Sequence, residues 1–156
     1  MEVSARRART DDLPMLVSLY GQLEVEMTTL HPMWPLADGL SEPIDVAFAD
    51  ALADQDTLIY LGLIDGYPLG FLIARVEDLL PQAKGERVGS IRLVFVDADA
   101  REVGIGESMR EMALGELRAR GLRRFDAHVL PGHRLVKNFF EAGGFSARSI
   151  VMHHAD

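Results

Sequence analysis

Residues 91–112, I-R-L-V-F-V-D-A-D-A-R-E-V-G-I-G-E-S-M-R-E-M, restrict the fold more than any other stretch of the chain. Ile91, Leu93 and Phe95 alternate with Arg92, Val94 and Val96, and β-branched and aromatic side chains predominate, so the stretch opens as a strand. It breaks at Asp97-Ala98-Asp99-Ala100 and resumes as a helix after Arg101-Glu102-Val103-Gly104-Ile105-Gly106. Ile105, Met109, Met112, Ala113 and Leu117 recur at helical spacing and give that helix one apolar face. A strand that feeds a glycine-bearing turn into a helix aims unpaired backbone N–H groups and the positive end of the helix dipole at one point. Such a point binds phosphate. Gly104 and Gly106 carry no Cβ and let a ligand reach the backbone. Arg101 adds a cation able to fork onto a phosphate. Turns of this kind also serve plain strand-to-helix geometry, so the surrounding elements decide between the two uses.

The 156 residues suit one domain, 1–156, around one core. With 48% hydrophobic and 26% charged residues the composition is globular rather than disordered. The absence of cysteine excludes disulfides, thiolate catalysis and cysteine-ligated zinc. No metal site is expected: His153 and His154 are adjacent, and on a strand their rings point apart. No apolar run approaches a membrane span, and the N-terminal M-E-V-S-A-R-R-A-R lacks the apolar core of a leader, so a cytoplasmic protein without membrane contact is expected. A net charge of −8 argues against a general nucleic-acid binder. Residues 1–50 hold three arginines against nine acids, residues 51–100 four basic residues against eight, and residues 101–156 nine against seven. The one positive third carries the phosphate turn, a split that fits a polyanion there and a cationic substrate at the acidic end.

Taken in order, residues 3–9 read as a first strand. Thr10 or Asp11 caps a helix with Pro14 in its first turn and Leu13, Leu16, Val17, Tyr20, Leu23 and Met27 on one side. Glu24 and Glu26 read as solvated charges near its end. His31, Pro32, Trp34, Pro35 and Gly39 interrupt regular structure. Met27, His31 and Trp34 are the candidate substrate contacts, although the same loop could equally be a flap that pins itself onto the core. Ser41 caps a second helix carrying Ile44, Phe48, Ala51 and Leu52. Strands at 57–64 and 68–77 flank the hairpin turn Asp65-Gly66, and the strand at 90–96 completes an antiparallel meander. Beyond the phosphate-turn helix, Gly121 ends the element, 124–130 reads as a strand broken at Pro131-Gly132, and 133–142 as a helix with Leu135, Val136, Phe139 and Phe140 inward. A final strand is expected over 145–153. The order β-α-α-β-β-β-α-β-α-β implies an α/β fold with a mixed, mostly antiparallel sheet flanked by helices.

Two better-known phosphate loops are absent: no G-x-x-x-x-G-K-[ST] occurs, and the dinucleotide fingerprint would need glycine or alanine where Met109 stands. The spacing present is R-x-x-G-x-G, Arg101 to Gly106. It resembles the [QR]-x-x-G-x-[GA] loop of the GCN5-related N-acetyltransferases, the GNAT superfamily. Residues 133–145, H-R-L-V-K-N-F-F-E-A-G-G-F, resemble that family's second motif, N-x-x-A-x-x-F-Y-x-x-x-G-F, and match it in the F-x-x-x-x-G-F ending. The element order also agrees with the GNAT fold over essentially the whole chain. The resemblance implies acetyl transfer from acetyl-CoA to a primary amine of a small molecule or peptide, with a homodimer within the family's range. It places the pyrophosphate on the amides of Arg101, Glu102, Val103, Gly104, Ile105, Gly106 and Glu107. The pantetheine arm would run along Leu93, Val94, Phe95 and Val96, where that strand splays from the strand at 124–130.

Two residues depart from the family pattern. The tyrosine that supplies an acid falls at Phe140, which has no proton to give, and the asparagine that touches the pantetheine falls at His133. The amine must still lose a proton. Glu77, Asp97, Asp99, His128 and His133 are the available bases; with Asp97 and Asp99 better explained as turn caps and His133 standing at the pantetheine position, Glu77 and His128 are the catalytic candidates. The alternative is a non-catalytic CoA- or acyl-CoA-binding regulatory module of the same fold.

Overall fold

Strand alternation decides the layering. The computed structural model describes residues 1–130 and 132–156, and the expected break at Pro131 lies outside them. Strands β1 (Val3–Arg7), β2 (Thr57–Ile64), β3 (Tyr67–Asp78), β4 (Arg87–Val96) and β5 (Arg124–Ala127) form one sheet in that order. The first four are antiparallel neighbours, and β5 runs parallel to β4. Helices α1 (Leu13–Leu30), α2 (Trp34–Ala37) and α3 (Ile44–Ala53) precede β2; α4 (Ile105–Ala119) links β4 to β5, and α5 (Arg134–Ala142) follows β5.

In β2, Ile59 and Leu61 face one side, where they pack with Phe71, Ile73, Leu93 and Phe95 against Leu16, Tyr20 and Leu23 of α1 and Phe48 of α3. Leu58 and Tyr60 face the other side, with Leu72, Ile91 and the Ile105–Met109–Leu117 stripe of α4. A strand buried on both faces needs a continuous apolar run, and L-I-Y-L-G-L-I is one.

The mixed, mostly antiparallel sheet is the one expected, with local differences. The first strand stops at Arg7, and a 3-10 turn at Thr10–Asp12 intervenes before α1, whose N-cap is Asp12. The carboxylate of Asp12 accepts the Arg9 N–H at 2.7 Å and takes both guanidinium nitrogens of Arg6. Residues 34–37 form a helical turn despite Pro35, because a first-turn proline gives up no intrahelical bond. Strand β4 begins at Arg87 rather than residue 90. The final strand expected at 145–153 does not form: these residues lie outside the ladder, and all but Phe145, which packs on Phe140, are exposed.

Two features of β4 shape the region beside the phosphate turn. Ile73 pairs with Leu93 and Ala74 with Ile91, so Arg92 is the extra residue of a bulge. Strand β5 pairs with β4 only from Val88 to Ile91, and the His128 N–H to Ile91 carbonyl bond at 3.0 Å closes that ladder. From Arg92 to Val96 the strand has an open edge, and a wedge opens between the two strands.

Candidate active site

The turn between β4 and α4 is built to leave amides free. Asp97 caps a 3-10 turn at Ala98–Ala100 by accepting the Asp99 N–H at 2.9 Å, so both aspartates serve the turn. Gly104 is the N-cap of α4 with φ +99°, a left-handed conformation that L side chains rarely adopt. The first N–H of α4 that returns to a carbonyl is that of Ser108, bonded to Gly104 at 3.0 Å. The N–H groups of the preceding turn have no intrahelical partner. A Cβ at Gly106 would stand 3.1 Å from the Phe139 ring, tighter than ordinary contact, so any larger residue here presses on that ring and α5.

A cleft of about 280 Å³ opens above those amides. Val94, Phe95 and Val96 form one wall, residues 100–102 and 104–107 the floor, and His133, Leu135, Val136 and Phe139 the wall from α5. Of the residues expected to hold a cofactor, Val94, Phe95, Val96, Arg101, Glu102, Gly104, Ile105, Gly106, Glu107 and His133 come together here. Leu93 does not: it is buried in the core on the α1 side. Val103 points to solvent and is outside the lining. Phe140 is only 2% exposed and packs between Phe139 and Phe145, so its neighbour Phe139 takes the cleft-facing place. Leu135, expected inward, is exposed and lines the cleft.

Arg101 corrects a second expectation. Its Nη2 donates to Glu26 at 2.6 Å, its Nε to the Val96 carbonyl at 2.9 Å, and its guanidinium lies 5.6 Å from the Phe95 ring. The cation ties α1 to the end of β4 instead of standing free for a phosphate. Glu26, expected as a solvated helix charge, therefore lines the cleft, and its second oxygen lies 3.6 Å from His133 Nε2. Burial holds the His133 imidazole below its ordinary range, Glu26 opposes that shift and Arg101 adds to it. The sequence did hold a signal for Glu26: it sits three residues after Leu23, beside Met27 on the margin of the buried stripe. Phe139 carried one too, as the residue that opens the F-x-x-x-x-G-F match of residues 139–145. Buried Arg110 locks α5 in position, donating to the Phe139 carbonyl at 2.7 Å with its guanidinium 4.5 Å from the Phe139 ring.

At the vertex of the wedge stands His128. Its Nε2 lies 3.1 Å from the buried Ser90 hydroxyl. Burial first, then the Arg92 guanidinium, holds the imidazole below its ordinary range, against the opposing carboxylates of Glu77, Asp126 and Asp38. Glu77 is itself 3.5 Å from Arg92. The two catalytic candidates thus share one polar cluster on the α1 side of the sheet. The expected substrate contacts do not. Trp34 is 3% exposed and stacks 6.1 Å from Tyr20, and Met27 is buried beside them, so the loop pins itself onto the core. His31 stays exposed and accepts the Met33 N–H at 3.2 Å. A separate hollow of about 360 Å³, lined by Lys84–Arg87 and Arg120–Arg123, lies at the other end of α4, away from this chemistry.

Comparisons with known proteins bear on the family and the fold. Residues 23–145 match the model of the Acetyltransferase (GNAT) family. A mycothiol acetyltransferase of Cellulomonas flavigena is 30% identical over 89 residues, covering 55% of this chain and 26% of that protein. The chain thus spans about a quarter of the length of this curated relative. Among solved structures, a tetramutant protein of Bacillus halodurans superimposes with a TM-score of 0.81 at 17% identity, covering 99% of both chains. The aminoglycoside N-acetyltransferase AAC(6')-Iy, in complex with a CoA-containing bisubstrate analogue, superimposes with a TM-score of 0.75 at 18% identity, covering 100% of this chain and 99% of that one.

Proposed function

The chain belongs to the GNAT family of acetyltransferases, and on that premise we propose that it transfers the acetyl group of acetyl-CoA to a primary amine, acting as one domain over residues 1–156. The observation that carries this reading is the wedge between β4 and β5, with helix-start amides that lack an intrahelical partner at its mouth and His128, hydrogen-bonded to Ser90, at its vertex. Acetyl-CoA supplies an acetyl group activated as a thioester. The amides of residues 105–107 suit its pyrophosphate, and Glu102 and Glu107, both exposed, can turn to solvent. The open edge of β4 from Val94 to Val96 offers backbone groups to an extended pantetheine arm, and His133 and Glu26 offer it side-chain partners.

His128 serves as the base. With Nε2 turned to Ser90, its Nδ1 is left for the amine proton, and its lowered affinity for protons keeps it neutral near pH 7. The acceptor is a cationic amine of a small molecule or peptide, drawn to the acidic side of the chain that includes Asp38, Glu77 and Asp126. Attraction by Trp34 is no part of this, because its ring is buried.

The testing experiment is release of CoA thiol from acetyl-CoA across cationic, neutral and acidic amines at two ionic strengths. Faster turnover of cationic amines, weakening with salt, supports the reading; preference for acidic amines contradicts it. One observation favours the second reading, a CoA-binding module without catalysis: α5 presents no hydroxyl to the cleft, since Phe140 is buried and Phe139 stands in its place. Saturable acetyl-CoA binding with no turnover of any amine would select it.

A further inference from the structure

Asp126 lies on β5 two residues before His128, so their side chains share a face about 7 Å apart along the strand. Phe125 and Ala127 pack on the opposite, α4 side. The register partner of Asp126 is Ser90, whose hydroxyl meets His128. The Asp126 carboxylate therefore opens onto the same side as the base. Its cation comes from outside the sheet and helices: Arg148, in the segment after α5, donates Nε to Oδ1 at 2.7 Å and Nη2 to Oδ2.

That segment is weakly held. Ile150, Val151 and Met152 are 70%, 87% and 88% exposed, the Arg148 side chain is 72% exposed, and residues 145–156 carry neither helix nor strand. It next meets the body at His153, whose ring lies 6.1 Å from that of His31 in the loop after α1. It thus passes from β5 to the α1–α2 loop along the face that holds His128, Glu77 and Arg92, and lays one guanidinium on a carboxylate beside the base.

We propose that Asp126 is the anionic subsite for a second cationic group on the acceptor, and that Arg148 fills it until an acceptor with two or more amino groups takes its place. Arg148 holds the exposed end of the pair, its side chain 72% exposed against 19% for Asp126, so water and salt compete for the guanidinium and leave a carboxylate that another cation can take. The spacing suits a second ammonium several methylenes from the reacting amine, and Glu77 and Asp38 add to the attraction. The inference rests on the reading that the His128 side receives the acceptor, and it goes further by requiring a di- or polycationic substrate.

The test compares cadaverine with aminopentanol, in which a hydroxyl replaces the far ammonium. Wild-type kcat/KM favours the diamine by about tenfold or more, and in Asp126→Asn the ratio falls to about one. In Arg148→Ala the KM for cadaverine falls several-fold, on the order expected for losing a competing surface cation. An equal preference in wild type and Asp126→Asn overturns the proposal. So does a higher cadaverine KM in Arg148→Ala, which would make Arg148 a tether. Calorimetric titration of cadaverine reads the subsite without turnover: binding weakened by Asp126→Asn supports it, and unaltered affinity overturns it. Binding that depends on Asp126, with neither amine acetylated, would uphold the subsite and remove the acetyl-transfer reading, so the two failures are distinguishable.

Discussion

Phe140 occupies the place where the family pattern carries a tyrosine, and its burial decides what it can do. The ring is enclosed by Phe139 and Phe145, with centroids at 5.0 and 5.3 Å. Phe140→Tyr would put a hydroxyl into an apolar cluster, so we expect it to lower stability by about 1–3 kcal/mol without raising kcat; denaturant melts and initial rates check both. A stable variant with higher kcat would mean that the ring turns into the cleft. His128 makes a sharper demand. Its proton affinity is lowered, so the neutral, basic form persists to more acidic pH than a free imidazole allows. With saturating acetyl-CoA, the acid limb of the rate profile should fall below the ordinary histidine value of about 6.5. His128→Asn should lose that limb and about 10²-fold or more in kcat. A variant that keeps the limb would transfer the role to Glu77 or to water. At this scale the sequence was least legible. It carried the residue types but not their directions: Phe139 and Phe140 are neighbours facing different surroundings, and Glu26 turned inward because Arg101 was there to meet it.

The strand-turn-helix of β4 and α4 was readable because its information is local: alternation, a cap, and glycines at fixed offsets. Its use makes two predictions. Gly104→Val forces a β-branched residue to φ +99°, a strain of about 1–3 kcal/mol. We expect a folded protein whose acetyl-CoA affinity falls at least about tenfold, as the first turn swings its amides away. Unchanged affinity by calorimetry would remove those amides from the binding surface. Arg110 acts between elements. Arg110→Ala leaves the Phe139 carbonyl without its donor and releases the ring, which should cost about 2–3 kcal/mol and weaken acetyl-CoA binding through displacement of α5. Wild-type acetyl-CoA affinity in the folded variant would show that α5 holds its place without it. The final strand at 145–153 was misread for a physical reason. Strand propensity reports a surface that fits a sheet, and here no neighbouring strand pairs with the segment, so Ile150, Val151 and Met152 stay in solvent.

For the whole molecule, the meander and the parallel fifth strand followed from connection lengths and element order, so the sheet was legible from the sequence. The wedge was less so, because it depends on a one-residue bulge at Arg92 and on where pairing to β5 ends, which are long-range matters of register. The charge split survives folding in part: Glu77, Asp126 and Asp38 all act on His128, while acidic Glu26, Glu102 and Glu107 line the cleft meant for a polyanion. On the proposed reading, backbone amides and the helix dipole rather than side-chain cations hold the phosphates, and binding is then expected to fall only mildly with salt. The most direct test of the central claim is mass-spectrometric detection of acetylated cadaverine, with CoA thiol counted in the same reaction, for wild type and His128→Asn. The account predicts one acetylated amine per CoA released in the wild type, and a rate at least about a hundredfold lower in the variant. Acetyl-CoA that binds but leaves every amine unmodified, or a variant as fast as the wild type, would contradict it.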